Sequence, residues 1–347
     1  MADTSTDNTA LQSAPSPIAE WHNVDKATFE ELIAPRYQPA VLRGFIRDWP
    51  AVAAGTASPQ TMADYLRGFD IGSQVESFVG APDINGRFFY TPDLKQLNFR
   101  RTRDPFHFAL DRLIAALEHP NPPALYMGST SLAECMPAFL QHNTNPALDS
   151  SVIPNIWIGN RSTIAPHFDM SDNIACVVAG HRRFTLFPPE QVANLYIGPL
   201  DFTPAGQPTS LVNLAAPDLE KYPRFSAALT AAQVATLGPG DAIYIPTMWW
   251  HNVEALDKFN VLVNYWWEPT YALQGSPFEC LVHALLTIRS IPAERREAWR
   301  AIFNHYIFDA DEQTHAHLPP QARRALGDLT PELALYLNNF LVNSMKL

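Results

Sequence analysis

Two short motifs contain the residue types that bind metal ions. The first is APHFDMSDN (165–173), and the second is WWHNVE (249–254). In an extended strand successive side chains alternate between two faces, so His167 and Asp169 are expected to point the same way. His251, from a distant strand, would complete a site of two imidazoles and one carboxylate. Such a facial triad leaves adjacent coordination positions on the metal open, as oxidative catalysis requires.

The HxD motif is weak evidence when taken alone. It arises easily by chance in a chain with 11 histidines, and an isolated example is more often a surface turn or a hydrogen-bonded core histidine. Its context favours a metal site, because both histidines lie in a β-rich part of the chain beside aromatic residues that could exclude water.

The composition limits the class of protein. The chain has 347 residues, 47% of them hydrophobic, which is typical of a globular core. The formal charge is -11 and the basic residues are scattered, which argues against nucleic acid or an anionic membrane as a partner. Cys135, Cys176 and Cys280 are far apart in the sequence, which predicts reduced thiols in a cytoplasmic protein. No segment approaches the roughly 18 apolar residues of a membrane helix, so we expect a soluble protein.

Short β-rich segments dominate residues 150–270. They are separated by Gly, Pro and Asn with no helical pattern between them, which predicts a mainly β fold, either a barrel or a sandwich. The predicted strands here are residues 153–159, 173–180, 183–188, 241–246 and 259–267. The N-terminal region mixes α and β patterns, with strands at 39–45 and 123–128 and helices at 61–69 and 107–119.

The chain divides into a tail, one domain and a helical region. Residues 1–17 are predicted to be a mobile tail without a secretory signal. Residues 18–276 form the domain, with a proline-rich insertion at about 198–232 that lies over one end of the β structure. Residues 277–347 are helical, and Thr330 caps the last helix. The apolar face of that helix either covers the barrel or forms a homodimer.

Several segments resemble the JmjC group of cupin-like iron(II)- and 2-oxoglutarate-dependent oxygenases. The main ones are residues 166–189, 239–256 and 263–267, and PAVLRGFIRDWPAV (39–52), ALYMG (124–128) and PDLEKYPRF (217–225) also match. Together they cover most of residues 38–268 in the family's order, and they are most similar to asparaginyl hydroxylases of the factor inhibiting HIF type. The resemblance implies a double-stranded β-helix (jelly-roll) core with flanking N-terminal elements and a C-terminal helical extension. It also implies a hydroxylase that uses iron(II), 2-oxoglutarate and dioxygen on a protein, peptide or small-molecule substrate.

The resemblance also implies roles for individual residues. His167, Asp169 and His251 would bind the iron and form the catalytic centre. Tyr126 matches a tyrosine whose hydroxyl reaches the distal carboxylate of 2-oxoglutarate, and Arg182 stands where the family has a lysine for the same carboxylate. The predicted cosubstrate contacts are Tyr126, Thr163, Asn173, Arg182, Asn264 and Trp266.

The sequence departs from the family pattern at three places. Arg182 exchanges a point ammonium for a planar fork that can bind a carboxylate with two parallel bonds. Ile164 stands where the family often has a threonine that faces the cosubstrate, and Thr163, one place earlier, is the hydroxyl that could replace it. Pro208 and Thr209 align with the Arg-Gln pair that holds a target asparagine, which argues against asparagine as the substrate.

Two other functions remain open from the sequence. A cupin-like protein could bind a metal ion and a small carboxylate without turnover, as the changes at Arg182 and Ile164 would permit. A zinc or manganese cupin isomerase is a second alternative, because zinc competes well for histidine and carboxylate ligands. In that enzyme Tyr126 and Arg182 would have no dicarboxylate to bind. A histone demethylase is less well supported, because the chain shows no reader module.

Overall fold

The computed structural model describes residues 15–267 and 275–344. They belong to two compact units, one ending at Trp267 and the other following it. The first unit contains all the strands and the second is helical. Among the described residues, no helix combines the length and the apolar character needed to cross a membrane.

The strands of the first unit form a five-stranded and a nine-stranded sheet. In chain order they are β1 (Ser16–Pro17), β2 (Ala19–His22), β3 (Ala40–Arg43), β4 (Gln74–Gly80), β5 (Phe99–Pro105), β6 (Ala124–Ser131), β7 (Pro154–Gly159), β8 (Ser162–His167), β9 (Asp172–Ala179), β10 (Arg182–Phe187), β11 (Gln233–Leu237), β12 (Ala242–Ile245), β13 (Trp250–Ala255) and β14 (Asn260–Trp267). The smaller sheet has the order β1-β11-β10-β13-β8, and the larger has the order β2-β3-β12-β9-β14-β7-β6-β4-β5.

From β7 onward the chain alternates between the two sheets, except that the consecutive strands β10 and β11 both lie in the smaller one. Strands β7, β9, β12 and β14 lie in the larger sheet, whereas β8, β10, β11 and β13 lie in the smaller one. All the pairings among these strands are antiparallel. This winding is a double-stranded β-helix, and it confirms the predicted mainly β, jelly-roll core with flanking helices.

Strand β9 shows why the predicted β segments fold as they do. Its residues are apolar on both faces, as expected of a strand with packed layers on both sides. Ile174, Cys176 and Val178 belong to the core on the helical side of the larger sheet. Ala175 and Val177 belong to the core between the two sheets. The sequence therefore buries this strand from Asn173 onward, and its inward face helps to form the interior of the β-helix.

Helices cover the outer face of the larger sheet. The helices of the first unit are α1 (Lys26–Thr28), α2 (Pro50–Ala57), α3 (Pro59–Arg67), α4 (Phe106–Ala116), α5 (Leu132–Cys135) and α6 (Phe225–Ala231). In α3 and α4 the apolar residues recur at helical spacing, and Met62, Leu66, Leu110 and Leu113 are buried in the core with β9. Because Ser58 accepts a hydrogen bond from the Thr61 N–H at 3.0 Å, α3 begins with an N-cap.

The last two residues of the predicted mobile tail, residues 1–17, belong to a strand. Ser16 and Pro17 form β1, which pairs with β11, and the Ser16 N–H donates to the Ala232 carbonyl at 3.0 Å. The physical reason is Ile18, which is 2% exposed and buried in the core between the sheets. Anchoring Ile18 brings the two preceding residues against the sheet edge. Residues 1–14 of the predicted tail lie outside the described residues.

The connection between β10 and β11 spans residues 188–232 and includes the predicted insertion. It contains a 3-10 turn at Pro189–Ala193 and ends in α6. Leu195, Val212 and Phe225 are each at most 1% exposed and pack with residues of the smaller sheet. This connection is therefore a packed layer with its own apolar cluster over the outer face of that sheet.

The second unit consists of helices and short turns. Its helices are α7 (Pro277–Thr287), α8 (Ala293–Phe303) and α9 (Pro331–Ser344). Thr330 accepts a hydrogen bond from the Leu333 N–H at 3.3 Å, the N-cap contact that the sequence predicts. The homodimer suggested by the apolar face of α9 stays a prediction.

We expect Gly55→Ala to destabilise the first unit. Gly55 lies in α2, where a Cβ would collide with the Val178 carbonyl oxygen and the Ala179 side chain of β9. Overpacking of this kind costs about 1–3 kcal/mol of unfolding free energy. Urea denaturation measures the change, and Gly275→Ala is the control because nothing lies within 4 Å of a Cβ at Gly275. Equal stability of the two variants would contradict this account of the packing.

Candidate metal centre

Two neighbouring strands of the smaller sheet bring the histidines together. Strands β8 and β13 are antiparallel, and His167 lies directly opposite His251. The register then shifts by a bulge between His251 and Val253. The two imidazole centroids are 4.2 Å apart, with an angle of 54° between the rings. Only 3% of His251 is exposed, so this pair lies inside the fold.

Asp169 completes the group from a position just beyond β8. The sequence analysis placed His167 and Asp169 on one strand, but β8 ends at His167. The two side chains still converge, because the Asp169 Oδ2 atom lies 3.5 Å from His251 Nε2. Ligand atoms of the three residues all lie within 4.8 Å of one another. Phe168 packs on the opposite side against Trp250, with ring centroids 4.9 Å apart.

Hydrogen bonds fix the orientation of all three ligands. The Nδ1 atom of His167 is 2.9 Å from the Ala165 carbonyl, and the Nδ1 atom of His251 is 2.9 Å from the Trp249 carbonyl. In the neutral tautomer that donates through Nδ1, the Nε2 lone pair is free for a metal ion. The Trp266 indole N–H donates to Asp169 Oδ2 at 3.2 Å and holds the carboxylate.

The protonation states of the group suit metal binding. Burial, together with the neighbouring His251, lowers the pKa of His167 to about 4. Burial opposes ionisation of Asp169, but hydrogen bonds and charges from His251, His167 and Trp266 outweigh it, so the pKa of Asp169 is lowered. Near neutral pH His167 is therefore neutral and Asp169 is ionised, which are the forms that bind a metal ion.

A cavity of about 130 Å³ contains the triad. The triad and five of the six predicted cosubstrate contacts line it. These five contacts are Tyr126, Asn173, Arg182, Asn264 and Trp266. They come from β6, β9, β10 and β14, so both sheets contribute to one site.

Arg182 is a buried cation with unpaired donors in this cavity. It is 2% exposed, and its Nε and Nη2 atoms have no hydrogen-bond partner among the described residues. Burial lowers the pKa of Arg182, and the Tyr126 hydroxyl beside it partly offsets this effect. A guanidinium stays protonated even so. Because an uncompensated buried charge costs several kcal/mol, this end of the cavity fits a carboxylate ligand.

A chain of hydrogen bonds holds the two asparagines. The Trp157 indole N–H donates to Asn264 Oδ1 at 2.6 Å, and Asn264 Nδ2 donates to Asn173 Oδ1 at 3.3 Å. Tyr126 stacks on the same indole, with ring centroids 5.8 Å apart. The polar contacts predicted from the sequence therefore form one connected wall.

Thr163, the sixth predicted cosubstrate contact, does not line the cavity, and Ile164 lines it instead. Strict alternation would put Thr163 on the same face as His167, but β8 has one extra residue relative to β13 between His167 and Ile164, so the two faces are exchanged beyond it. Thr163 instead lies opposite Glu254 of β13, and its N–H donates to the Gly86 carbonyl at 2.9 Å. The register shift between His167 and Ile164 therefore turns Ile164, and not Thr163, toward the cavity. The wall at this point is therefore apolar.

Several lining residues were not identified from the sequence. Gln207 and Thr209 reach the cavity from the connection between β10 and β11, and an isolated bridge pairs Thr209 with His167. Three aromatic residues, Phe78, Phe88 and Phe99, come from the N-terminal elements. The proline-rich connection shows no hydrophobic periodicity from which its side-chain directions could be predicted. The only indication from the sequence was that Thr209 aligns with a residue that contacts the substrate in the family.

We expect His251→Ala to abolish stoichiometric binding of a divalent metal ion. The substitution removes a ligand whose Nε2 atom lies beside Asp169, and two ligands rarely hold such an ion tightly. Metal analysis after dialysis and titration calorimetry measure the loss. His181→Ala is the control, because that histidine is exposed and paired with Asp257. Full metal retention by His251→Ala would exclude this site.

The comparisons with known proteins agree with the fold and the site. Human bifunctional peptidase and (3S)-lysyl hydroxylase JMJD7 is 26% identical over 281 residues, which covers 70% of this chain and 81% of that protein. Lysine-specific demethylase JMJ31 of Arabidopsis thaliana is 36% identical over 118 residues, covering 34% of this chain and 21% of the demethylase. Mouse tRNA wybutosine-synthesizing protein 5 is 32% identical over 146 residues, covering 38% of this chain and 43% of that protein.

The chain thus spans about a fifth of the length of the demethylase and most of the length of the lysyl hydroxylase. Two histidines and one carboxylate are the donor set of non-haem iron(II) oxygenases, and the triad here is able to hold that ion. The predicted iron and 2-oxoglutarate chemistry agrees with relatives of the JmjC type that are named a hydroxylase and a demethylase. The model of the cupin-like domain matches residues 26–273, and the chain belongs to the cupin-like domain family.

Proposed function

We propose that this protein is an iron(II)- and 2-oxoglutarate-dependent hydroxylase. One observation carries the proposal: buried Arg182, two of whose nitrogen atoms have no hydrogen-bond partner among the described residues, lines the same cavity as the His167, Asp169 and His251 triad. A metal site alone would not require a buried cation nearby. A dicarboxylate that binds the metal at one end and Arg182 at the other uses both features.

Different residues of the cavity would bind the metal ion and the cosubstrate. The triad would hold iron(II), and Arg182 with Tyr126 would hold the distal carboxylate of 2-oxoglutarate. Bound together, iron(II) and 2-oxoglutarate supply the means to insert an oxygen atom from dioxygen into a C–H bond, with succinate and carbon dioxide as by-products. The chain orients these groups, and its aromatic residues exclude water from them.

The guanidinium of Arg182 is suited to replace the lysine of the family. Its planar fork offers parallel N–H donors, and its Nε and Nη2 atoms are the ones without a partner. Stacking of Tyr126 on Trp157 fixes the phenol beside it. These contacts set the position of the cosubstrate before any substrate arrives.

A specific observation favours a second candidate, a protein that binds a metal and a carboxylate without turnover. Ile164 lines the cavity and can form no hydrogen bond to a cosubstrate. The cosubstrate would then be held by the other contacts without a hydrogen bond at this position. A zinc or manganese isomerase is less well supported, because Arg182 would have no distal carboxylate to bind.

The substrate we propose is a protein side chain, a peptide or a small molecule. The net charge of -11 opposes binding to nucleic acid or to an anionic membrane. The likeness to asparaginyl hydroxylases does not extend to asparagine recognition, because Pro208 and Thr209 stand in place of the Arg-Gln pair. A cytoplasmic location belongs to the same proposal, since Cys135 and Cys176 are buried free thiols.

We expect the iron-loaded protein to release succinate from 2-oxoglutarate in the presence of oxygen. Loading under anaerobic conditions, followed by mass spectrometry of succinate, tests this for the wild type and for Asp169→Ala. The variant should lose turnover because it lacks a metal ligand, and zinc-loaded wild type should also be inactive. Iron binding without succinate, after screening of peptides and metabolites, would establish the binding protein instead.

We expect Arg182→Gln to raise the KM for 2-oxoglutarate by roughly 10- to 100-fold, the effect of losing a charge-assisted hydrogen bond. Arg182→Lys is the matched control, because it keeps the charge without the fork, and its KM should be intermediate. Iron affinity should not change in either variant. In thermal unfolding, 2-oxoglutarate should stabilise the metal-loaded wild type but not Arg182→Gln. An unchanged KM would show that Arg182 is not the anchor.

A further inference from the structure

Two short segments next to the metal ligands meet outside the regular strands. Asp169 follows β8, and the turn at residues 246–249 precedes β13, which carries His251. Strand pairing sets the relation of His167 to His251, but it does not extend to Asp169. Other contacts must therefore hold the carboxylate ligand in place relative to the second histidine.

The turn holds the backbone of Asp169 directly. The Met248 N–H donates to the Asp169 carbonyl at 2.9 Å, and the Thr247 hydroxyl donates to the same oxygen at 3.4 Å. These bonds depend on an unusual turn, because Met248 has φ +65°, in the left-handed region that side chains rarely adopt. The turn needs further support to keep that conformation.

Asp172 supplies this support from the other sheet. Its Oδ1 atom accepts hydrogen bonds from the Thr247 N–H at 3.0 Å and from the Tyr244 hydroxyl at 3.1 Å. Asp172 begins β9 and pairs with Trp267 of β14 in the larger sheet. Burial raises the pKa of Tyr244, and the carboxylate of Asp172 raises it further, so the phenol remains a hydrogen-bond donor.

A second contact holds the turn from its opposite side. The Tyr37 hydroxyl donates to the Thr247 carbonyl at 2.6 Å, and the Trp249 indole donates to the Tyr37 carbonyl at 3.2 Å. The Trp249 carbonyl lies 2.9 Å from Nδ1 of His251. The same turn therefore orients both Asp169 and His251, and Asp172 is the charged group that holds it.

We infer that Asp172 is a positioning residue for the metal centre, which fixes the turn at 246–249 so that Asp169 and His251 keep their relative places. It acts through Thr247 and does not itself belong to the triad. This inference rests on the proposed metal site and extends it to a residue outside the cavity lining. The role of Asp172 depends on the hydrogen bonds that its Oδ1 atom accepts and does not require a change of protonation state.

Cobalt(II) is the probe, because its visible absorption reports both the affinity and the coordination geometry without turnover. Metal-free wild type and Asp172→Ala are titrated with cobalt. We expect the variant to bind about 10- to 100-fold more weakly, as when groups that orient metal ligands are removed, and with an altered spectrum. Asp172→Asn keeps an oxygen acceptor and should recover most of the affinity and the wild-type spectrum.

Tyr244→Phe is the matched control, because it removes one hydrogen bond to Asp172 and leaves the one from Thr247 in place. Its cobalt affinity should stay close to that of the wild type. If Asp172→Ala does not fold, Asp172→Glu is titrated with cobalt instead. This variant keeps the charge but moves the acceptor oxygen by one methylene, so it should also bind cobalt more weakly than the wild type.

The outcomes separate this inference from the proposed function. Wild-type affinity and spectrum in a folded Asp172→Ala variant would overturn the positioning role and leave the metal site intact. Asp172→Asn binding as weakly as Asp172→Ala would also overturn it, because the acceptor would then not be what matters. Failure of the wild type to bind cobalt would overturn both.

Discussion

The metal site depends on a single cross-strand pair. Antiparallel pairing of β8 with β13 sets His167 opposite His251, although these residues come from distant parts of the chain. A slip of one residue in this pairing would turn one imidazole to the opposite face of the sheet. That face is covered by the connection between β10 and β11, which buries Phe225 in an apolar cluster there, and a polar ring without hydrogen-bond partners is unfavourable in such surroundings. The apolar cluster thus protects the register on which metal binding depends.

A buried positive charge is the second constraint, and it opposes folding unless it has a partner. Arg182 is 2% exposed, and two of its nitrogen atoms have no hydrogen-bond partner in the described part of the chain, although most of the surrounding wall is aromatic or aliphatic. The low polarity of this wall makes the unpaired charge unfavourable, and it also strengthens the attraction of the guanidinium for a carboxylate. The position of Arg182 is therefore better explained by ligand binding than by stability.

The sequence predicted the buried strands well and their polar neighbours less well. Strands such as β9 and β14 are apolar on both faces, so their pattern is distinct even in a single sequence. Strands β8 and β13 carry the ligands, but they are mixed in polarity and were found through the motifs alone. Thr163 was misplaced because side-chain direction depends on a register that the sequence does not specify. Asp172 was missed because its bonds to Thr247 and Tyr244 join separate parts of the chain, and no local pattern reports them.

The connection between β10 and β11 contributes to the cavity wall. Leu195, Val212 and Phe225 give this layer a packed cluster of its own. From it, Gln207 and Thr209 enter the cavity, and Thr209 pairs with the backbone of His167. Two side chains of the cavity wall are thus placed relative to the triad by a segment that supplies no triad residue. In a fold whose site is grafted on a fixed core, such a segment is where the cavity wall can vary without moving the triad.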